Sequence, residues 1–265
     1  MTLVMVLGVF IGAIMGLTGA GGGILAVPVL VLGLPWTLQE AAPVALLAVA
    51  SGAAVGALDG FRHRLVRYRA GMLMAVCGWP MTRVGQDWAR VTPQAYLLGA
   101  FALLMLVVAW RFFQQSQQTA AHGDDALRIA HIHTHSGRFI WTPLTALLLA
   151  GIGTLTGLLT GLLGVGGGFL IVPLMRRFTH LAIPGIVATS LFVISLVSGG
   201  GVVSALLAGG HLPMPESAGF MASMVAGMLL GRRVSRQLSP AHVQRGFALL
   251  LACVSVYLLT RALQA

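Results

Sequence analysis

Residues 16–30 read GLTGAGGGILAVPVL, and residues 161–175 read GLLGVGGGFLIVPLM. Nine of the fifteen positions are identical at an offset of 145. Gly16, Leu17, Gly19, Gly21, Gly22, Gly23, Leu25, Val27 and Pro28 match Gly161, Leu162, Gly164, Gly166, Gly167, Gly168, Leu170, Val172 and Pro173. Fainter echoes follow. Ala70-Gly71 matches Ala218-Gly219, and the Phe-Ala-Leu-Leu run beginning at Phe101 matches the one beginning at Phe247. The chain therefore reads as two copies of one unit, 1–113 and 143–265, joined by the polar segment 114–142. A cleaved leader would have no internal copy and would carry a positive start, so the apolar N-terminus is expected to belong to the fold.

Composition sets the class. Of 265 residues, 57% are hydrophobic and 8% are charged, against about 25% charged in a soluble domain. So few charges could not cover a water-facing surface, and disorder needs the opposite balance. The net charge is +10, and all 16 basic residues are Arg. They cluster between apolar runs, as in Arg62, Arg64, Arg67 and Arg69. That is the pattern of cytoplasmic membrane loops rather than of a nucleic-acid surface. Cys77 and Cys253 lie inside apolar runs and read as small buried hydrophobes.

Residues 1–39, 139–175 and 178–215 contain no Asp, Glu, Lys or Arg. One helix of that length would run roughly 55–58 Å, but the hydrocarbon core is about 30 Å thick. Each run must therefore fold back or break. Runs 41–58, 70–88, 95–110, 217–231 and 246–260 suit single helices. The fold class expected is an all-α integral membrane protein. Each half holds a helix, a Gly-rich break, a short Pro-containing second leg (24–34 and 169–175), and three longer helices. If each leg pair returns to the side it entered, the loops 59–69, 111–142, 176–183 and 232–245 share one side and hold 13 Arg, with 3 opposite. Parallel repeats would divide them eight and eight. The positive-inside rule selects inverted repeats, with both termini outside and the linker in the cytoplasm.

The breaks are the first candidates for chemistry. Gly19, Gly21, Gly22 and Gly23 lead into the leg at Ile24, and Gly164, Gly166, Gly167 and Gly168 into the leg at Phe169. A helix start carries free N–H donors and roughly half a positive charge, and Gly lets an anion approach the backbone. Two opposed starts would make an anion site without cationic side chains; close helix packing through small residues would also explain the glycines. Hydroxyls nearby are further donors. Thr18, Thr189 and Ser190 are the leading ones; Ser51, Thr156, Thr160, Ser195 and Ser198 come second, each otherwise a back-bond to its own helix. Arg83 follows Pro80 within an apolar run and reads as an intramembrane anion contact or a snorkelling side chain. Asp59 reads as a proton relay or an interfacial ion pair beside Arg62. His131, His133 and His135, with His122, could hold a metal, though a solvated tract is the plainer reading, and no metal site is assigned. No P-loop, His-Glu-x-x-His or Gly-x-Ser-x-Gly appears, so neither an enzyme nor an ATP-driven pump is expected, and no cofactor.

The paired G-x-G-G-G-(x)4-V-P motifs at 19–28 and 164–173, with Ala188-Thr189-Ser190-Leu191 downstream, resemble the sulfite exporter TauE/SafE family of bacterial membrane proteins. Ala45-Leu46-Leu47 stands in the first half where the second has Ala188-Thr189-Ser190, a departure from symmetry. The resemblance implies a multi-pass protein of the bacterial cytoplasmic membrane. It implies transport of small sulfur-containing anions such as sulfite or organosulfonates; joined to the residue reading, an anion bound between the two Gly breaks is exposed alternately as the halves rock. The partners expected are that anion, the lipid bilayer and a coupling proton, with no nucleic acid. A passive anion channel and a non-transporting metal-handling or assembly protein are the alternatives.

Overall fold

A computed structural model describes residues 2–19, 21–34, 36–117, 141–179, 181–209, 214–235 and 240–264. It gives side-chain positions for all of these except 115–117, 214–216, 240–242 and 263–264. The histidines of the linker lie outside the described residues.

In chain order the helices are α1 (Thr2–Thr18), a 3-10 turn (Gly22–Leu25), α2 (Ala26–Gly33), α3 (Leu38–Arg62), α4 (Tyr68–Val91) and α5 (Gln94–Gln117). The second half repeats the order: α6 (Pro143–Leu163), α7 (Gly168–Phe178), α8 (Ile183–Leu207), α9 (Met214–Ser235) and α10 (Pro240–Gln264). Local chemistry places the starts. Thr37 and Glu40 form a reciprocal capping box on α3, with Glu40 Oε2 accepting from the Thr37 N–H at 2.8 Å. Thr142 caps α6 with Pro143 in its first turn, where a missing N–H costs nothing.

Among the described residues, α3, α5, α6, α8 and α10 are long and apolar enough to cross a membrane, and α1 is a shorter apolar helix. Runs 70–88 and 217–231 also have the length expected of crossing helices. The structure makes α4 and α9 long but more polar, because they carry Arg69, Arg83, Asp87 and Arg90, and Arg232 and Arg233.

The first leg pair is an antiparallel hairpin. A Cβ on Gly22 would lie 2.9 Å from Ile14 C, and one on Gly33 2.7 Å from Leu7 Cδ1. In the second pair Gly167 lies against Thr156 and Thr160 of α6. Each first leg then packs on the other half. Gly8, Gly12 and Gly16 of α1 lie in turn against Phe220, Met224 and Arg232 of α9, so the two helices run parallel. Gly153, Gly157 and Gly161 of α6 lie against Met74, Gly78 and Thr82 of α4, also parallel. The two glycine triplets are 145 residues apart. A Cβ on Gly12 would stand 2.8 Å from Met224 C, and one on Gly157 2.6 Å from Gly78 C, so only Gly allows these backbones to touch.

At the centre α3 and α8 cross antiparallel, Gly60 against Ala188, Gly56 against Leu191 and Leu46 against Gly201. α8 is apolar on every side, and 15 of its residues are buried, including Leu191, Ile194 and Val197; an all-round apolar helix belongs in the middle of a bundle. α5 and α10 also pair antiparallel. Ser255 Oγ donates to Ala102 O at 2.6 Å, and Phe112 meets Phe247 edge-on with centroids 5.2 Å apart.

Candidate functional site

The breaks differ in backbone. After α1 the chain turns at Gly19 (φ +80°) and re-enters through a 3-10 turn. After α6 it passes three left-handed glycines, Gly164 (φ +71°), Gly166 (+76°) and Gly167 (+60°), before α7 starts at Gly168. Side chains avoid these angles at roughly 1–2 kcal/mol per residue, so the second break needs its glycines for conformation as well as for space. At the start of α7 the Leu170 N–H donates to Gly167 O at 3.1 Å, and the amides before it have no intrahelical acceptor.

The two breaks meet at Val49, midway along α3. A Cβ on Gly23 would lie 3.2 Å from Val49 Cγ1 and 3.4 Å from Val165 O, and one on Gly166 would lie 2.7 Å from Val49 Cγ1. The outer turns are related by the same offset: Gly19 faces Val187 on α8, and Gly164 faces Ala42 on α3. Gly21–Gly23 and Gly164–Gly168 are buried; Leu17, Thr18 and Gly19 are partly exposed.

Most candidate hydroxyls bond their own helix. Thr18 donates to Ile14 O (2.8 Å), Ser51 to Leu47 O (2.7 Å), Thr160 to Thr156 O (2.7 Å), Ser190 to Val187 O (2.9 Å) and Ser195 to Phe192 O (2.8 Å). Thr189 Oγ1 accepts the Arg67 N–H at 3.0 Å and so caps α4. Two hydroxyls differ. Thr156 Oγ1 and Ser198 Oγ are fully buried without a hydrogen-bond partner among the described residues. Both residues adjoin the second break. A Cβ on Gly166 would stand 3.0 Å from Ser198 Oγ, and one on Gly167 2.9 Å from Thr156 O. An unsatisfied buried hydroxyl costs about 1–3 kcal/mol, which a polar ligand there would relieve. Arg83 is exposed on α4.

A cavity of about 1120 Å³ opens where α3, α7 and α9 end and α8 and α10 begin. The last turn of α1, Gly16 to Thr18, and Gly19 line it, together with Asp59, Arg62, Arg176, Arg232 and Arg233. It thus reaches the first break. Arg232 Nη1 sits 3.0 Å from Asp59 Oδ2 and donates to Gly56 O at 3.2 Å; Asp59 also lies 3.5 Å from His63 Nδ1. Sequence reasoning sought an anion site without cationic side chains and passed over Arg232, one Arg among many in loop-flanking clusters. The available signal was its counterpart at an offset of 146, Gln86, which occupies the same place on α4.

The model of the sulfite exporter TauE/SafE family matches residues 4–258. The chain is 24% identical to the "Probable membrane transporter protein YunE" of Bacillus subtilis, over 96% of this chain and 97% of that protein. It is 23% identical to a probable membrane transporter protein of Methanocaldococcus jannaschii (97% and 94% covered) and 24% identical to one of Xylella fastidiosa (96% and 93%). No solved structure matches the chain significantly.

Proposed function

Because this chain belongs to the sulfite exporter TauE/SafE family, whose curated members above are named as membrane transporters, we propose that it is a secondary transporter. It moves a small anion, sulfite or an organosulfonate, across the bacterial cytoplasmic membrane by alternating access. The anion sits where the breaks meet, against the start of α7 and the buried hydroxyls. The observation that carries this reading is the unpartnered Ser198 Oγ beside Gly166, with a second unpartnered hydroxyl on Thr156, the residue whose methyl and carbonyl pack on Gly167. A polar group with no partner in an apolar bundle is retained at a cost, and an oxyanion accepts hydrogen bonds from hydroxyls and helix-start amides alike.

Inverted repeats are supported by direction. Counterpart helices run opposite ways, α3 against α8 and α5 against α10. The ends of α3, α7 and α9, with their Arg residues, gather at one cavity, which the positive-inside rule assigns to the cytoplasm. Gly19 is then open to the cytoplasmic side while its counterpart Gly164 is buried. In the opposite state the exposures exchange, which is what two inverted copies of one unit provide.

The test is radiolabelled sulfite flux in vesicles containing the wild type, Thr156→Val and Ser198→Ala. Both changes remove a hydroxyl with little change of shape. Flux at limiting sulfite is expected to fall about tenfold, the worth of one hydrogen bond to a charged group. Wild-type flux in both well-folded variants defeats the proposed site.

A further inference from the structure

Arg232 on α9 reaches across to α3 and donates to Gly56 O at 3.2 Å. Its counterpart at the opposite end of the bundle is Gln86 on α4, which reaches across to α8 and donates to Gly201 O at 2.8 Å. Gly201 is the counterpart of Gly56 at the repeat offset of 145, and Ser204 is likewise the counterpart of Asp59. The same helix-to-helix clasp is therefore made twice. At one end a neutral amide makes it, beside a Ser204 hydroxyl that lies 3.4 Å from Trp79 Nε1. At the other end a guanidinium makes it, beside a carboxylate. Packing does not require the charge, because the neutral version holds the mirror contact.

What the charged version adds is an ion pair facing water. Asp59 and Arg232 side chains are 42% and 27% exposed, and both line the 1120 Å³ cavity. Arg62, Arg176 and Arg233 share that wall, and Asp59 is the single carboxylate among the described lining residues. With Arg232, the Arg62 and Arg233 guanidiniums outnumber that carboxylate among the described lining residues. A planar guanidinium matches the oxygens of an oxyanion as well as it matches a carboxylate.

We propose that Arg232 is the primary ligand of an oxyanion site in this cavity, with Asp59 occupying the anion's place until it arrives. The site lies on the threshold of the first break: a Cβ on Gly16 would stand 2.7 Å from Arg232 N. Its ligand is a sulfur or phosphorus oxyanion, either free in solution or carried on a lipid headgroup. The mirror position, with Gln86 and Ser204, lacks the guanidinium that would bind such an anion.

Inorganic sulfate is the probe, titrated by calorimetry into the purified full-length protein in detergent. Arg232→Gln and Asp59→Ser install the residues of the mirror end, where the clasp already holds. Arg232→Gln is expected to weaken sulfate binding about tenfold or more, the worth of a charge-assisted hydrogen bond. Asp59→Ser is expected to tighten it, a gain that misfolding cannot mimic. Repeating the titration in nanodiscs separates the sources. A headgroup occupant shows as sulfate binding lost in phosphatidylglycerol discs and kept in phosphatidylcholine discs; a free anion shows as equal binding in both; either result upholds the oxyanion site. Unchanged affinity in both variants overturns it. Binding is read without flux, so this result is independent of the outcome for Thr156 and Ser198.

Discussion

Gly151→Ala and Gly157→Ala are the same chemical change on the same helix, α6, six residues apart. Both gain helix propensity, about 0.8–1 kcal/mol. They differ in what the new methyl meets. Nothing lies within 4 Å of a Cβ on Gly151. A Cβ on Gly157 would be driven into Gly78 O and would stand 2.6 Å from Gly78 C and 2.7 Å from Gly78 Cα. These are backbone atoms, so no rotamer change relieves the clash; α6 must withdraw from α4 or the methyl must distort both. Overpacking costs about 1–3 kcal/mol, and an unyielding partner puts this case at the upper end. Gly157→Ala should therefore be about 3 kcal/mol less stable than Gly151→Ala, a gap of roughly 6–12 °C in unfolding midpoint for a chain of this size. Tryptophan-fluorescence melts of the two detergent-purified variants measure it. Equal midpoints would refute the idea that glycine-mediated backbone contact holds α6 on α4.

Two further outcomes are expected. Gly166→Ala places a side chain at φ +76° and 2.7 Å from Val49 Cγ1; it should lose about 1–2 kcal/mol from the backbone alone and most sulfite flux. Gly21→Ala, at φ −76° with 3.2 Å of clearance to Phe247 Cε1, should stay within about 1 kcal/mol of wild type; flux and melting of the two variants, run side by side, check the contrast. With Cys77 and Cys253 replaced by Ser, Thr18→Cys should react with a membrane-impermeant maleimide from the cytoplasmic side and Ser198→Cys should not, because Thr18 lines the cavity and Ser198 is fully buried.

The helix, break, leg and three-helix order of each half was legible because duplicated glycines and charge-free runs too long for one span admit few foldings. Length against bilayer thickness did most of that work. The pairing of α1 with α9 and α6 with α4 was not legible. Gly8, Gly12 and Gly16 announce a close approach, yet every-fourth-residue spacing says which face is crowded and not which helix crowds it. The hydroxyls show a similar boundary. Adjacent hydroxyls face different directions, so one of Thr189 and Ser190 is expected inward, but Thr189 accepts the Arg67 N–H just ahead of α4 and Ser190 donates within its own helix. Ser198 and Thr156 stand out only once every partner has been assigned. Arg232 could have been found by aligning the halves beyond their glycines, since Gln86 at an offset of 146 shows which of the two carries charge by choice.

The exchange of first helices between halves also governs the order of assembly. α1 is complete by residue 18, while the helix that receives it, α9, ends at residue 235. At translation rates of about 5–20 residues per second, that gap is on the order of 10–40 s. Through that interval the glycine ridge of α1 has only its own hairpin and lipid for company. α6 finds α4 already made. The first copy must therefore mature on credit from the second, and a ribosome halted in the linker would leave a nascent chain with one unclosed seam, the natural target of a membrane quality-control protease.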